Sequence, residues 1–585
     1  MAYFGTEKHE IKFRSFGLVS NMTVRFWLKL IGVLAILVLT NPDVLNNLPT
    51  LLARKQFGTL IPFVGIWVVT ILALATISFH PRLIARVFWG LIVAGSTSLI
   101  WGYYQASHSQ MSVLDAISFW NARHEAGRAA DFYNQHILHA KILFAALFIF
   151  FIAPVPAFGP NIRRSLVWAT ALPIIPMLMI GAVFWFKNGV TYMTMPSQFS
   201  AVPIASLVAY KQATQTSVIR HDVSWKPVAK SPTRNIIFMV DESVRSEYID
   251  LKPNNPYTPK FAALADKFVN FGPAASGGNC SNYANGLLRF GASREDIVGS
   301  TASNPTLFQY AKKAGFRTVF IDAQAGSFAL GNMLQNFMTL KEKSNIDGFY
   351  LIRNVKADMA DRELINIVAK ELQSSQPVFI YANKNGSHFP YDHAYPSSEA
   401  KFHPTMTETG IDTQAARIAS YRNAIAWSVD DFMKIFFGTA DLSSTTMVYT
   451  SDHGQMLQAG KLTHCMVDNP DPRTGIVPLM VYSSDPATRA RLETGAKLSV
   501  GKASHFQIAP TLYELMGYSR TDIAKNYDES LFDGTTHKPE MTTGDVFGVF
   551  GAQPNETLIP LTENLLETDP TQFTKTSQSE TKVIQ

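Results

Sequence analysis

Before residue 190 the chain carries five apolar runs: Phe26–Thr40, Phe57–Phe79, Leu83–Tyr103, Ile142–Phe158 and Leu166–Phe186. A helix needs roughly 17 to 25 such residues to cross the hydrocarbon layer, so the second, third and fifth runs read as spans and the other two as shorter ones. Pro154 and Pro156 lie near the end of the fourth run, where a membrane helix tolerates proline better than a soluble one. Lys8, Lys12, Arg14 and Arg25 precede the first run, Arg82 and Arg86 sit between the second and third, and Arg163 and Arg164 between the fourth and fifth. By the positive-inside rule these links are cytoplasmic, which delivers everything after Lys187 to the outer side. The first run shows no small-residue cleavage site and reads as an anchor.

Composition agrees with a membrane part, since hydrophobic residues make up 47% against 16% charged, and 585 residues exceed one compact core. The net charge of +6 comes with no basic run and no basic helix, which argues against nucleic acid as a partner. The expected organisation is a cytoplasmic tail over 1–22, a five-span transmembrane domain over 23–187 and a bridge along the membrane surface over 188–234. An outer domain over 235–550 and a poorly ordered polar tail over 551–585 follow.

In the outer domain short apolar runs at Ile236–Val240, Thr318–Ile321, Val378–Tyr381, Met447–Tyr449 and Val477–Tyr482 alternate with helix-like stretches at Thr306–Ala314 and Ala360–Leu372. This alternation predicts an α/β domain with a largely parallel sheet buried on both faces. Ligands bind outside the carboxyl ends of such strands, and there the sequence reads DESVR, ANKNGSHFPYDH and TSDHGQ. Asp241, Glu242, His388, Asp452 and His453 would therefore share one rim.

Carboxylate with imidazole suits zinc or manganese, and Gly454 permits the turn an adjacent Asp-His pair needs to supply two ligands. A lone DHG tripeptide is more often surface chemistry, so the weight rests on the combination. Cys280 and Ser281, in GGNCSNYANGLL, stand where a helix opens, and helix starts favour anions such as phosphate. Taken by itself, Cys280 reads equally as a nucleophile, half of a disulfide or a buried cysteine.

FVNFGPAASGGNCSNYANGLL resembles the nucleophile region of the alkaline phosphatase and sulfatase superfamily, where a Thr, Ser or Cys opens a helix. DESVR, NGSHFPYDHAYP, TSDHGQMLQAGKLTH, YRNAIAWSVDDF and SHFQIAPTLYELMG resemble, in family order, segments of the membrane-bound phosphoethanolamine transferases of the lipid A modifying type. The resemblance covers nearly the whole chain. It implies a five-helix transmembrane domain followed by an α/β/α-sandwich, alkaline-phosphatase/sulfatase-like catalytic domain. It implies zinc, with manganese the alternative, on Glu242, Asp452 and His453, with Cys280 and Asp241 as further candidate ligands. His388 and His464 would hold the donor phosphate or protonate the leaving group, and Cys280 or Ser281 would attack. Phosphatidylethanolamine would be the donor, in contact with the bilayer, and an outer glycolipid or glycan the acceptor. The setting would be a bacterial inner membrane crossed several times, with the N-terminus cytoplasmic and the catalytic domain periplasmic.

The sequence departs from that family where its nucleophile is a threonine, since none stands at this point. Register places Cys280 slightly ahead of Ser281. The C-x-P-S-R context that directs cysteine to formylglycine is also absent, so sulfatase activity is not expected. Cys465 follows His464, which the family places beside the metal, and the two thiols would lie close enough for a disulfide that leaves Ser281 as nucleophile or creates a redox switch. A phosphoglycerol transferase using phosphatidylglycerol is the rival enzyme, and a catalytically silent lipid sensor the rival of another class. Asp241 reads equally as a strand-end carboxylate orienting Arg245, His505 as structural, and Trp427 and Phe432 as core.

Overall fold

The computed structural model describes residues 24–566, apart from 43, 54–56, 108–109, 122–129, 131–132, 191–193, 215–219, 250, 325–339, 354, 460, 468–469 and 552. The tail expected over 1–22 and the last part of the polar tail lie outside the described residues. The chain divides into two compact units, one of Met1–Ile117 with Tyr133–Gln215, the other of Ser118–Phe132 with Thr216–Gln585.

In the first unit, four helices among the described residues are long and apolar enough to cross a membrane: Leu60–Phe79, Leu83–Ser107, Asn134–Ile152 and Pro160–Phe186. The run expected as the first span is helical over 24–39 among the described residues. Two of the basic residues near the apolar runs act as caps. Lys29 Nζ donates to the carbonyl of Phe150 at 2.7 Å and Arg86 to that of Ile152 at 2.9 Å. Cations at a helix C-terminus satisfy its orphan carbonyls and complement its dipole. Part of the expected bridge belongs to this unit: helix Ser197–Thr214 packs on Leu83–Ser107, with the Ser96 hydroxyl donating to Ser197 O at 2.7 Å and Phe199 and Ile204 buried.

The second unit is built on a seven-stranded sheet of β1 (Asn235–Asp241), β2 (Phe268–Ala275), β3 (Arg317–Asp322), β4 (Gly348–Leu351), β5 (Val378–Asn383), β6 (Thr445–Ser451) and β7 (Ile476–Ser483). Their spatial order is β2-β7-β6-β1-β5-β3-β4, and only β7 runs against its neighbours, so the sheet is mixed but largely parallel. The five apolar runs of the sequence are β1, β3, β5, β6 and β7. β2 and β4 escape that pattern because Gly272 and Pro273 interrupt one and the other is only four residues long.

Side chains alternate between the faces of a strand. One face presents Ile236, Phe238, Val240, Phe320, Phe379, Tyr381 and Val448 to a core shared with helices Leu307–Lys313 and Ile508–Leu515. The opposite face carries Tyr449, whose ring meets Phe261 edge-on. β1 pairs with β6 so that Asp241 stands opposite Ser451, which sets the next residues of the two strands, Glu242 and Asp452, side by side.

Candidate active site

Strand alternation separates the two acidic residues of DESVR. Glu242 continues the face of Val240 and reaches the cluster below, whereas Asp241 points to the other face. There its carboxylate accepts from Lys384 Nζ at 2.5 Å and from the Tyr449 hydroxyl at 2.8 Å, all three groups fully buried. Lys384 also donates to the carbonyl of Ser428 at 2.6 Å, which lies in the π-helical segment Ala426–Asp431. Asp241 is thus no metal ligand here, because a buried lysine already neutralises it. Nor does it orient Arg245, which pairs with Glu247 at 2.7 Å.

Glu242, Asp452 and His453 are buried, and each offers a ligand atom within 4.8 Å of the others. The His453 Nδ1–H donates to the carbonyl of Gly454 at 2.8 Å, which turns Nε2 towards Glu242 Oε1, 3.5 Å away. That is the orientation a metal-bound imidazole takes from its surroundings. Burial and the neighbouring Asp452 carboxylate push the Glu242 carboxyl up to about 8, and burial raises Asp452 as well. Two desolvated carboxylates side by side call for a cation. The donor set fits a divalent metal, with three protein ligands of nitrogen and oxygen type suiting zinc.

Ser281 opens the helix Ser281–Phe290 and faces this cluster: its Oγ lies 3.1 Å from Glu242 Oε2 and 3.1 Å from His453 Nε2. Cys280, the residue before it, does not compete. Its sulfur is bonded to Cys465, so the thiol expected as nucleophile and ligand is consumed in a disulfide. The stretch leading to Ser281 is pinned from below by His505. The His505 Nδ1 accepts from the Gly277 N–H at 3.0 Å, which leaves its Nε2–H to donate to Thr450 Oγ1 at 3.1 Å. Burial lowers His505 to about 3, so it is a neutral, structural imidazole.

His464 stacks its ring on His453, with centroids 4.5 Å apart. His388 follows β5, donates Nδ1–H to the carbonyl of Phe389 at 2.6 Å, and lies near enough for its charge to draw Glu242 down. Phe432 is fully buried, and Trp427 is half-buried with its Nε1 donating to Asp358 O at 2.7 Å.

Three supporting residues have no part in the sequence reading. Gln324 Nε2 donates to Glu242 Oε2 at 2.9 Å and to Lys384 O at 2.8 Å. Asn285 Nδ2 approaches Asp452 Oδ2 at 3.4 Å, and Lys384 holds Asp241. The strand-end rule that found Glu242 also points to Gln324, which follows β3, and one helical turn separates Asn285 from Ser281.

A mixed sheet with a buried carboxylate-imidazole cluster at its strand ends, facing a serine that opens a helix, defines an alkaline-phosphatase/sulfatase-like domain. Residues 234–518 match the protein-family model described as Sulfatase. Among curated proteins it is similar to the Kdo(2)-lipid A phosphoethanolamine 7''-transferase of Salmonella typhimurium, 23% identical over 304 residues, covering 48% of this chain and 52% of the relative. The enzyme of that name from Escherichia coli K12 is 23% identical over 302 residues, covering 49% and 52%. The chain thus spans about half the length of the curated relatives it matches. Among solved structures, the integral membrane lipooligosaccharide phosphoethanolamine transferase A of Neisseria meningitidis shares the fold, with a TM-score of 0.57 at 17% identity over 79% of this chain and 89% of that one.

Proposed function

We propose that the protein transfers phosphoethanolamine from phosphatidylethanolamine to lipid A or a similar glycolipid, through a covalent intermediate on Ser281. The observation that carries this reading is the Ser281 hydroxyl at 3.1 Å from both Glu242 and His453, beside three residues that could hold a metal and at a helix start. The names of the curated relatives point to the same headgroup and acceptor.

Glu242, Asp452 and His453 would hold zinc, with Ser281 adjoining. A bound zinc ion supplies Lewis acidity and lowers the pKa of a neighbouring hydroxyl. Ser281 Oγ forms the new bond to phosphorus as the bond to the diacylglycerol oxygen breaks. The backbone N–H groups opening Ser281–Phe290 face the phosphoryl oxygens, where preorganised donors stabilise developing charge. His388 and His464 hold the phosphate or protonate the departing oxygen, and the acceptor then displaces Ser281. A lipid donor accounts for joining this domain to membrane-spanning helices, five in this reading, with the N-terminus cytoplasmic and the catalytic domain outside.

The test uses full-length protein with zinc in vesicles carrying phosphatidylethanolamine, phosphatidylglycerol and Kdo2-lipid A. The expected products are diacylglycerol and a lipid A heavier by one phosphoethanolamine. Consumption of phosphatidylglycerol instead would replace the headgroup, and no consumption of either would reject the transferase.

A further inference from the structure

Two parts of the chain 185 positions apart are joined at the candidate active site by the Cys280–Cys465 disulfide, whose Cα atoms lie 4.5 Å apart. Its two ends are not equivalent to any other pair in the molecule. Cys280 is the residue immediately before Ser281, and Cys465 is the residue immediately after His464. The same junction carries two hydrogen bonds: Cys465 N–H donates to Asn279 O at 2.8 Å, and Asn279 Nδ2 donates to Met466 O at 2.7 Å. Cys465 itself adopts φ +66°, a left-handed conformation that a non-glycine residue keeps only when its surroundings impose it.

The disulfide adds to the contacts that already hold His464, whose Nδ1 meets the Thr463 hydroxyl at 2.8 Å while Thr463 O accepts from the Met456 N–H at 2.8 Å. Between β6 and the turn at Pro472–Gly475 the described residues form neither helix nor strand, and a segment of that kind keeps much of its conformational freedom unless tied down. Yet its imidazole is held in a ring stack on His453, whose Nε2 is 3.1 Å from the Ser281 hydroxyl. Cys280 is buried among Tyr283, Leu287 and Phe506, so the disulfide ties the His464 segment to the rigid start of the serine's helix.

We propose that the Cys280–Cys465 disulfide is a positioning element of the transfer reaction, fixing His464 against His453 and Ser281, so that opening it with a dithiol reductant slows turnover while metal and donor still bind. This rests on the phosphotransfer reading above. The opening consumes one dithiol. A thiolate of the reductant attacks the half-buried Cys465 sulfur, Cys280 departs as thiolate and takes a proton, and the second thiol of the reductant resolves the mixed disulfide. Two free cysteines and one oxidised reductant result.

The test compares oxidised, reduced and reoxidised full-length protein, together with a Cys280→Ala/Cys465→Ala variant that needs no reductant and so cannot lose zinc to one. Turnover is measured with phosphatidylethanolamine and, separately, with bis(p-nitrophenyl) phosphate, and zinc content is determined alongside. Opening the disulfide is expected to lower kcat about tenfold or more, since small misplacements of active-site groups cost up to a hundredfold, with KM and zinc content retained and reoxidation restoring the rate. In a His464→Ala background the same opening is expected to change kcat by less than about twofold, because the two changes act on one interaction. An unchanged kcat in the opened protein overturns the proposal, and so does an equal loss with and without His464, which would make the disulfide a general stiffener. Turnover of the aryl diester without any turnover of phosphatidylethanolamine would reject the headgroup reading and leave the positioning test to run on the aryl diester. No turnover of either by oxidised protein rejects both.

Discussion

Glu242 and Asp452 lie side by side at the ends of adjacent strands, both fully buried, with an imidazole as the third member of the group. Glu242→Gln removes one charge and leaves the shape, so the fold is expected to persist while zinc content falls and transfer drops by at least about a hundredfold, read by elemental analysis beside turnover. Full activity with undiminished zinc would remove Glu242 from the site. The neighbouring Asp241 shows where reading residues singly runs short. The sequence puts two carboxylates together, but only the pleat decides that one joins the cluster and the other meets Lys384 on the opposite face. Cys280 and Ser281 pose the same difficulty. Register favours the cysteine, and it takes a partner 185 positions away, Cys465, to consume the thiol and leave the hydroxyl facing Glu242.

At the scale of elements, the ends of β1, β5 and β6 are held together by buried polar contacts. Lys384→Met would leave Asp241 charged, buried and without its cation, and a loss of about 3–5 kcal/mol is expected, seen as a lowered melting temperature or insoluble expression. A second contact sets a pH dependence. The folded-state value of His505 is depressed to about 3, below the ordinary 6.5, so between those values the unfolded chain binds a proton that the folded chain does not. The His505 contribution to stability is therefore full above about pH 6.5 and is lost progressively as pH falls towards 3. Denaturant titrations across that range should show it, with a shallower acid slope for His505→Gln. Most of these elements were legible in advance. The strands β1, β5 and β6 contain the apolar runs Ile236–Val240, Val378–Tyr381 and Met447–Tyr449, and Thr306 with Gln309 forms the capping box of the helix read at Thr306–Ala314. Gln324 at a strand end and Asn285 one helical turn from Ser281 carry a local signal, but their meeting with Glu242 and Asp452 depends on which strands neighbour one another, and that order is not written in any local pattern.

Across the whole molecule, the candidate metal cluster, the disulfide and Ser281 belong to one half of the chain, while the apolar helices belong to the other. Because a metal that binds only the folded cluster stabilises it by RT ln(1 + [L]/Kd), about 4 kcal/mol at a thousandfold excess over Kd, chelation should lower the melting temperature and zinc should restore it. An unchanged melting temperature would mean that no metal occupies Glu242, Asp452 and His453. The apolar helices could be read from hydropathy alone, and so could the alternation of the α/β part that follows them. Of the five runs, four form helices long and apolar enough to span among the described residues, and the first is helical over 24–39 among those residues. The central claim is that Ser281 carries the transferred group. The measurement that tests it most directly is the mass of the peptide ending at Arg289, taken from full-length protein incubated with phosphatidylethanolamine in the absence of acceptor and reduced before digestion. A phosphoethanolamine ester on Ser281 is the predicted result. An unmodified Ser281 beside released diacylglycerol, or the adduct on another residue, would contradict it.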